Sequence, residues 1–298
     1  SLLSKLEVDD YRAQVERGFL IQVEAYDWNC PQHITPRYTE SHIEDLMAPL
    51  LDENRRLKTI QQDLQNVVPQ VIGAGTLELV ISGIRQLTPR VRAYELRDPI
   101  GADLPVIDPG AHLQLPVQLN NGKTVFRHYS ICSNPARRDI YEVAILREDD
   151  GLGGSRTAHE HYYLGLALRC GLPGNQFHLH SDERPAVLIA GGIGITPIKA
   201  MAQALQTRGI NLNLHYAGRS RGEMAFRDRL EREFGDKIKT YSSADGEHMD
   251  VEQVLSTAHG DAVIYVCGPD RLIEGVIRTA RKLNIDAHRI RFERFTAA

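Results

Sequence analysis

The sequence predicts a mixed α+β and α/β fold: an antiparallel β-barrel, then a doubly wound parallel sheet, with an N-terminal strand and helix as an extension. Residues 76–176 contain five or six short strands of alternating or β-branched character, separated by turn residues. After residue 184, buried apolar runs alternate with helical segments. Residues 1–75 fit neither pattern. We therefore predict three segments, 1–75, 76–183 and 184–298.

Composition limits the classes of function. The 298 residues carry a formal charge of −4, which gives no reason to expect a nucleic-acid partner. No apolar run has the length of a membrane helix and no signal peptide opens the sequence, so we expect a cytoplasmic protein without a membrane partner. The four cysteines are too scattered for a zinc knuckle or a plant-type [2Fe-2S] cluster, and we predict no metal site.

The individual elements follow from periodicity. Strands of the barrel are predicted at 77–81, 91–96, 112–116, 125–130 and 141–146. In the second domain we predict strands at 186–190, 212–216, 238–241 and 262–266, and helices at 197–208, 225–234 and 271–283. In the extension we predict a strand at 18–25 and a helix at 41–66, which Pro49 kinks or restarts. Since a lone strand is not stable, it must pair elsewhere, and a homodimer is one option.

A basic, an aromatic and a hydroxyl side chain meet at the end of one predicted strand, Arg127-His128-Tyr129-Ser130. Such a group suits a flavin: Arg127 for the phosphate, Tyr129 for stacking and the Ser130 hydroxyl for the ring edge. Because alternate residues point to opposite faces, the strand end must twist or lie at the ligand's edge. Downstream, Gly153, Gly154 and Ser155 precede a helix and suit an anion. Each motif alone is more often an ordinary strand or glycine turn, but their conjunction favours binding.

A glycine turn at 191–197 suits a pyrophosphate, although Pro197 stands where the last glycine of the G-x-G-x-x-G fingerprint would be. We predict that Gly192, Gly194, Ile195 and Thr196 form a nucleotide site. Thr196 is expected to cap the following helix, with Pro197 at its first position. A plain strand–turn–helix connection is the alternative, disfavoured because a buried strand precedes the turn.

A second turn, Cys267-Gly268-Pro269, ends another buried strand. In doubly wound sheets ligands lie at the carboxyl ends of strands, so this turn and the glycine turn are expected to face one crevice. An inert buried thiol is the alternative role for Cys267.

In this fixed order the motifs at 127–130, 191–197 and 267–269 resemble those of the ferredoxin reductase superfamily. Arg-x-Tyr-Ser followed by Gly-Gly-Ser looks like the phthalate dioxygenase reductase and vanillate demethylase reductase group. The resemblance, over about residues 76–296, implies FMN bound by Arg127, Tyr129, Ser130, Gly154 and Ser155, with FAD as the alternative. It also implies that Cys267 lies beside the nicotinamide C4 and that aromatic and acidic residues of the tail at 291–295, including Phe295, approach the flavin.

The implied activity is transfer of a hydride from a nicotinamide to flavin and release of single electrons to an acceptor, with Ser130 and Cys267 as the catalytic residues. The expected acceptor is an iron–sulfur protein of an oxygenase system. Alternatives are an FAD-type reductase of ferredoxin, haem protein or quinone, and a flavin-binding electron-transfer subunit without turnover. Arg219 and Arg221 could hold the 2′-phosphate of NADPH, but Asp245 would repel it, so NADH is favoured.

Residues 28–38 resemble the closing segment of a split-barrel flavoprotein related to pyridoxamine 5′-phosphate oxidase. About the first forty residues share that resemblance, too few for the whole barrel. The group's reductases also continue into a ferredoxin domain beyond the residues that match here. We therefore expect a piece of a longer fusion protein, with the electron acceptor on a separate chain or a missing domain.

Overall fold

The computed structural model describes residues 39–66 and 71–295. The chain divides into two compact units, Ser1–Asn66 and Val67–Ala298. In the first, helix α1 spans Glu40–Asn66 and continues through Pro49, so the helix does not restart there, and a kink at Pro49 stays a prediction. One proline removes a single N–H donor from the helix. The predicted strand at 18–25 and the split-barrel segment lie outside the described residues.

The second unit begins with an antiparallel barrel. Its elements are β1 (Val71–Gly73), β2 (Leu77–Thr88), β3 (Val91–Arg97), β4 (His112–Gln118), β5 (Thr124–Ser130), β6 (Tyr141–Leu146), α2 (Gly154–His161) and β7 (Ala167–Cys170). Five strands form a sheet in the order β1-β7-β2-β3-β6, and β4 pairs with β5. The β4–β5 hairpin closes the barrel because β4 packs against β1 and β7, and an isolated bridge joins Ile131 to Val143 of β6.

Two short barrel strands were not predicted. Strand β1 has three residues and starts before the predicted boundary at residue 76, pairing in parallel with β7, which has four. Strands this short carry almost no periodic signal. They form because each completes a sheet whose other strands are already paired.

The rest of the unit is a parallel sheet covered by helices. Its elements are β8 (Ala186–Gly191), α3 (Ile195–Thr207), β9 (Leu212–Gly218), α4 (Arg227–Phe234), β10 (Ile238–Ser242), α5 (Val251–Ser256), β11 (Val263–Cys267), α6 (Asp270–Lys282) and β12 (Ile290–Glu293). All strands are parallel, in the order β10-β9-β8-β11-β12. The order reverses between β8 and β11, which makes their carboxyl ends the switch point at which such sheets bind ligands. The predicted fold class is confirmed.

One apolar core joins the barrel to the parallel sheet. Cys132, Ala144 and Phe177 of the barrel belong to the same buried cluster as Leu188 of β8 and Met201 of α3. Helix α3 is therefore packed between its own sheet and the barrel. Within the described ranges, no helix has both the length and the apolarity needed to cross a membrane.

Candidate functional site

A cavity of about 440 Å³ lies between the barrel and the parallel sheet, in the size range of small-molecule sites. Four segments line it: the end of β5, the loop into α2, the turn from β8 into α3, and the chain after β12. The predicted site residues on its wall are Arg127, His128, Tyr129, Ser130, Gly154, Ser155, Thr196 and Phe295. The tail residues Phe292, Glu293 and Arg294 also line it, as do residues that were not predicted, among them His112, Leu152 and Ile193.

The four side chains at the end of β5 all reach this cavity although they alternate along the strand. Ser130, the last residue, is buried, and Tyr129 is half-buried. Burial raises the pKa of the Tyr129 phenol, against the opposing effect of Arg127, so the ring is neutral at physiological pH. His128 lies beside His112, with ring centroids 4.8 Å apart. The strand therefore ends at the cavity's edge, as the alternation required.

Arg127 lies against the first turn of α2. A Cβ on Gly154, the first residue of that helix, would be only 2.9 Å from Arg127 Nε, so only glycine leaves room for the side chain here. Gly153 precedes it with a positive φ of 84°, which glycine adopts without strain. The Ser155 Oγ accepts a hydrogen bond from the Glu148 N–H at 3.1 Å and keeps its own proton to donate. A guanidinium beside a helix N-terminus is a site for a phosphate.

The turn from β8 into α3 touches the end of β11. A Cβ on Gly194 would lie 2.3 Å from the carbonyl oxygen of Cys267, and one on Gly268 would lie 2.9 Å from Gly191 Cα. The two strand ends of the switch point therefore meet backbone to backbone. Ile193 and Thr196 extend from this turn into the cavity. Glycine at these positions permits the close approach of the two turns, whereas a shared crevice for a nucleotide stays a prediction.

Helix α3 starts earlier than predicted. A 3₁₀ turn at Gly192–Gly194 leads directly into it, and Ile195 is its first residue, buried in the shared core. Thr196 is already helical, and its hydroxyl donates to the Ile193 carbonyl at 2.9 Å instead of capping the helix. Pro197 occupies the third position, where the first turn still needs no N–H donor. The predicted cap and the predicted position of Pro197 are therefore wrong.

Cys267, the last residue of β11, is fully buried behind the turns. Burial, with a smaller contribution from the Glu293 carboxylate, raises its pKa well above the ordinary thiol value. Burial therefore favours the protonated thiol, which is a poor nucleophile. It pairs in register with Glu293 of β12 across the sheet.

Glu293 is the acidic residue of the tail that the family resemblance brings to the flavin, and its burial was not predicted. It lines the cavity, and one of its carboxyl oxygens is buried without a hydrogen bond among the described residues. Burial raises its pKa to about 7. The sequence held one signal, an acid between two aromatic residues in a terminal strand, but only the pairing of β12 with β11 shows that the acid is enclosed.

The arginines that were predicted to bear on coenzyme choice, Arg219 and Arg221, are not among the residues that line this cavity and follow the end of β9. Arg219 is exposed, and its side chain makes no hydrogen bond or ion pair with the described part of the chain. Arg221 instead holds two carboxylates, Asp245 at 3.2 Å and Glu247 at 2.8 Å.

The cavity fits a flavin. Arg127 and the start of α2 provide for a phosphate, Tyr129 and Phe295 provide aromatic surface, and Ser130 provides a hydroxyl at its inner edge. The orphaned oxygen of Glu293 is a polar atom that still needs a partner. No group of three or more metal-ligating side chains occurs within residues 39–66 and 71–295.

Comparison with known proteins identifies the family. The chain is 36% identical over 222 residues to the vanillate O-demethylase oxidoreductase of Acinetobacter baylyi (strain ATCC 33305 / BD413 / ADP1), covering 74% of this chain and 69% of that protein. The chain belongs to the ferredoxin reductase family of the vanillate demethylase and phthalate dioxygenase reductase type. A family model for the N-terminal domain of the dimethylamine monooxygenase subunit DmmA-like proteins also matches residues 173–290.

Solved structures agree with this family. Phthalate dioxygenase reductase, described as a modular structure for electron transfer from pyridine nucleotides to [2Fe-2S], superposes with a TM-score of 0.68 at 31% identity, covering 73% of this chain and 67% of that one. An intact type IV self-sufficient cytochrome P450 monooxygenase also gives 0.68, at 33% identity over 74% of this chain. The chain spans only 28% of that larger protein. The family member described here is therefore an oxidoreductase that takes a flavin and a nicotinamide cofactor.

Proposed function

We propose that this chain is an NADH-dependent FMN reductase that delivers single electrons to an iron–sulfur protein of an oxygenase system. The observation that carries the proposal is the cavity walled on one side by the end of β5 and the start of α2, and on the other by the β8–α3 turn and Glu293. A bound flavin would accept a hydride from the nicotinamide and release the electrons one at a time. The chain's own residues supply binding, orientation and shelter from water.

FMN is favoured because the barrel side offers one compact anion site. Arg127 carries a fixed charge beside the N-terminus of α2, where backbone N–H groups and the helix dipole also favour an anion. A terminal phosphate dianion fits such a site. FAD, which extends past its phosphates to an adenosine, is the alternative.

The two turns of the switch point would hold the nicotinamide nucleotide. Gly192, whose added Cβ would meet no atom within 4 Å, would leave room for a pyrophosphate beside its backbone, and Gly194 lets the turn pack against Cys267-Gly268-Pro269. Ser130 would orient the flavin edge through its hydroxyl, and the buried neutral thiol of Cys267 would fill the space behind the nicotinamide. These roles need no proton transfer by a side chain.

NADH is favoured over NADPH by the pairing of Arg221. Its guanidinium is matched by Asp245 and Glu247, so the local charge is one negative unit. A 2′-phosphate near this turn would meet more carboxylates than free cations. Arg219 remains the one group here that could attract it.

An iron–sulfur acceptor is supported by phthalate dioxygenase reductase, whose description names [2Fe-2S] as its acceptor. The match to a cytochrome P450 monooxygenase makes a haem acceptor the second candidate. A cytosolic location and a homodimer both remain predictions.

The deciding experiment is an anaerobic titration of the flavin-loaded chain with NADH and, separately, NADPH, following flavin absorbance. Stoichiometric bleaching by NADH, with release of FMN on denaturation, is the expected result. Retained colour with either nucleotide would refute the proposal. Bleaching by NADPH alone, or release of FAD, would replace only the corresponding cofactor assignment.

A further inference from the structure

Lys199 is a fully buried lysine in α3, one turn after Thr196. A buried ammonium requires polar partners. Its Nζ donates to the carbonyl oxygen of Cys132 and lies 3.3 Å from Glu142 Oε2. Both partners belong to the barrel, whereas Lys199 belongs to the parallel-sheet domain. The charge is therefore placed across the boundary between the two.

The barrel holds its side of this contact rigidly. The Glu142 side chain is only 5% exposed, and its second oxygen accepts from Arg85. Its backbone N–H donates to Ser133 Oγ at 3.2 Å, and its carbonyl accepts from the Cys132 N–H at 2.7 Å. The acceptors that face Lys199 thus belong to one connected network.

This contact lies directly behind the cavity. Cys132 follows Ser130 by two residues, and Lys199 follows Thr196 by three. Ser130 of the barrel and Thr196 of the parallel-sheet domain both line the cavity. The bond from Lys199 to Cys132 therefore connects the flavin side to the nicotinamide side by a short path through the backbone.

Stability alone does not account for a charge in this place. Apolar residues of the shared core surround the contact, and a buried ion pair is often no more stabilising than well-packed apolar side chains. A directional hydrogen bond also fixes the position of α3 relative to the barrel. Displacement of reacting groups by 1 Å can cost about a hundredfold in rate.

We propose that Lys199 is a positioning residue. Its bonds to Cys132 and Glu142 hold the first turn of α3 against the end of β5, and thereby set the distance between the hydride donor and its acceptor. The inference rests on the proposed function.

The test compares Lys199→Met with a control in the same helix. Methionine keeps an unbranched side chain but cannot bond to the barrel, while Glu142 retains Arg85. Gln203→Met also removes a buried polar group from α3, but one that bonds to Glu233 of its own domain. In stopped-flow reduction under anaerobic conditions, we expect the rate constant at saturating nucleotide to fall by about tenfold to a hundredfold in K199M and to stay within about twofold in Q203M.

A second readout needs neither cofactor nor turnover. Amide hydrogen exchange of the cofactor-free chain should rise in K199M for the peptides covering 130–133 and 195–199, and should be unchanged there in Q203M. Nucleotide affinity and flavin content should match those of the unaltered chain. A saturating rate constant within about twofold of the unaltered value in K199M would overturn the inference, whatever the exchange shows.

Should K199M not fold, Glu142→Gln carries the same test, because it removes the charge partner and keeps the shape. The rate constant at saturating nucleotide should again fall, and a value within about twofold of the unaltered chain's would again overturn the inference. Failure of the proposed function is distinguishable, because the unaltered chain would then not be reduced by either nucleotide.

Discussion

Glu293 is an acidic residue of the cavity wall whose side chain is largely removed from water. Its pKa of about 7 stands well above the ordinary value of 4.5 because burial penalises the carboxylate. Between these two values the folded chain keeps a proton that the unfolded chain releases. Stability therefore falls as pH rises through this window, and the loss is complete above the folded pKa.

Replacing Glu293 by glutamine removes this dependence, because an amide stays neutral. We expect the Tm of cofactor-free E293Q to equal that of the unaltered chain at about pH 4, below both pKa values, and to exceed it by a few degrees at about pH 8. Thermal unfolding followed by circular dichroism measures both. Glu183→Gln, at an exposed position, is the control and should shift neither value. Equal Tm values at the higher pH would contradict the argument.

Gly154 leaves the space that Arg127 occupies. In Gly154→Ala the new methyl would meet the flexible end of Arg127, which can move away at little cost in stability. The guanidinium then leaves the helix N-terminus, and we expect FMN affinity to fall by about tenfold to a hundredfold, the value of one charge-assisted hydrogen bond. Quenching of flavin fluorescence measures this change.

The matched control for this change is Gly151→Ala in the same loop. Its Cβ would be 3.4 Å from the nearest atom, an ordinary contact. An equal loss of FMN affinity in both variants would show that loop rigidity, not Arg127, governs binding.

At the scale of elements, the turns after β9 and β10 carry the charges that, in the function we propose, would meet the adenosine end of the coenzyme. Removing both carboxylates, in Asp245→Asn with Glu247→Gln, frees Arg221. We expect the ratio of kcat/KM for NADPH to that for NADH to rise at least about tenfold, equivalent to one ionic contact. Glu223→Gln alters an acid of the neighbouring 3₁₀ turn at Arg221–Glu223 and should leave the ratio unchanged. An unchanged ratio in the double variant would place the adenosine ribose elsewhere.

The elements differ in how far the sequence determines them. Strands such as β8 and β11 were predictable because each is a short apolar run bounded by turn residues. Such a run, when it alternates along the chain with helical segments, indicates a buried strand of a parallel sheet. The start of α3 was misplaced because Thr196 and Pro197 are typical of helix starts, whereas the close approach to Cys267 begins the turn earlier. Local signals identify an element, and tertiary contacts fix where it begins.

At the scale of the whole molecule, the flavin and nucleotide domains lie within one compact unit and the first 66 residues in another. We expect a chain starting at residue 67 to keep its flavin and to be reduced at a rate within about twofold of the full chain, because cavity and core lie after that point. Anaerobic stopped-flow reduction of the two chains makes the comparison. Loss of flavin on truncation would show that the extension supports the barrel.

Contacts between distant segments of the chain explain why some site residues could be predicted from the sequence and others could not. Arg127, Ser130 and the glycine turns stand in contiguous motifs, so their grouping is visible in the sequence. Glu293 and Lys199 acquire their surroundings from segments more than 25 residues away, through β11 and through the barrel. No local pattern contains that information.

The sheltered thiols have a consequence for oxidative damage. Cys132, Cys170 and Cys267 are all buried, and burial raises the pKa of each. Reduced flavoproteins in air yield hydrogen peroxide, which attacks thiolates rather than thiols. We therefore expect these three thiols to resist oxidation by hydrogen peroxide formed during the proposed reaction. If the reduced protein loses activity in air, we expect the cause to be something other than oxidation of these cysteines.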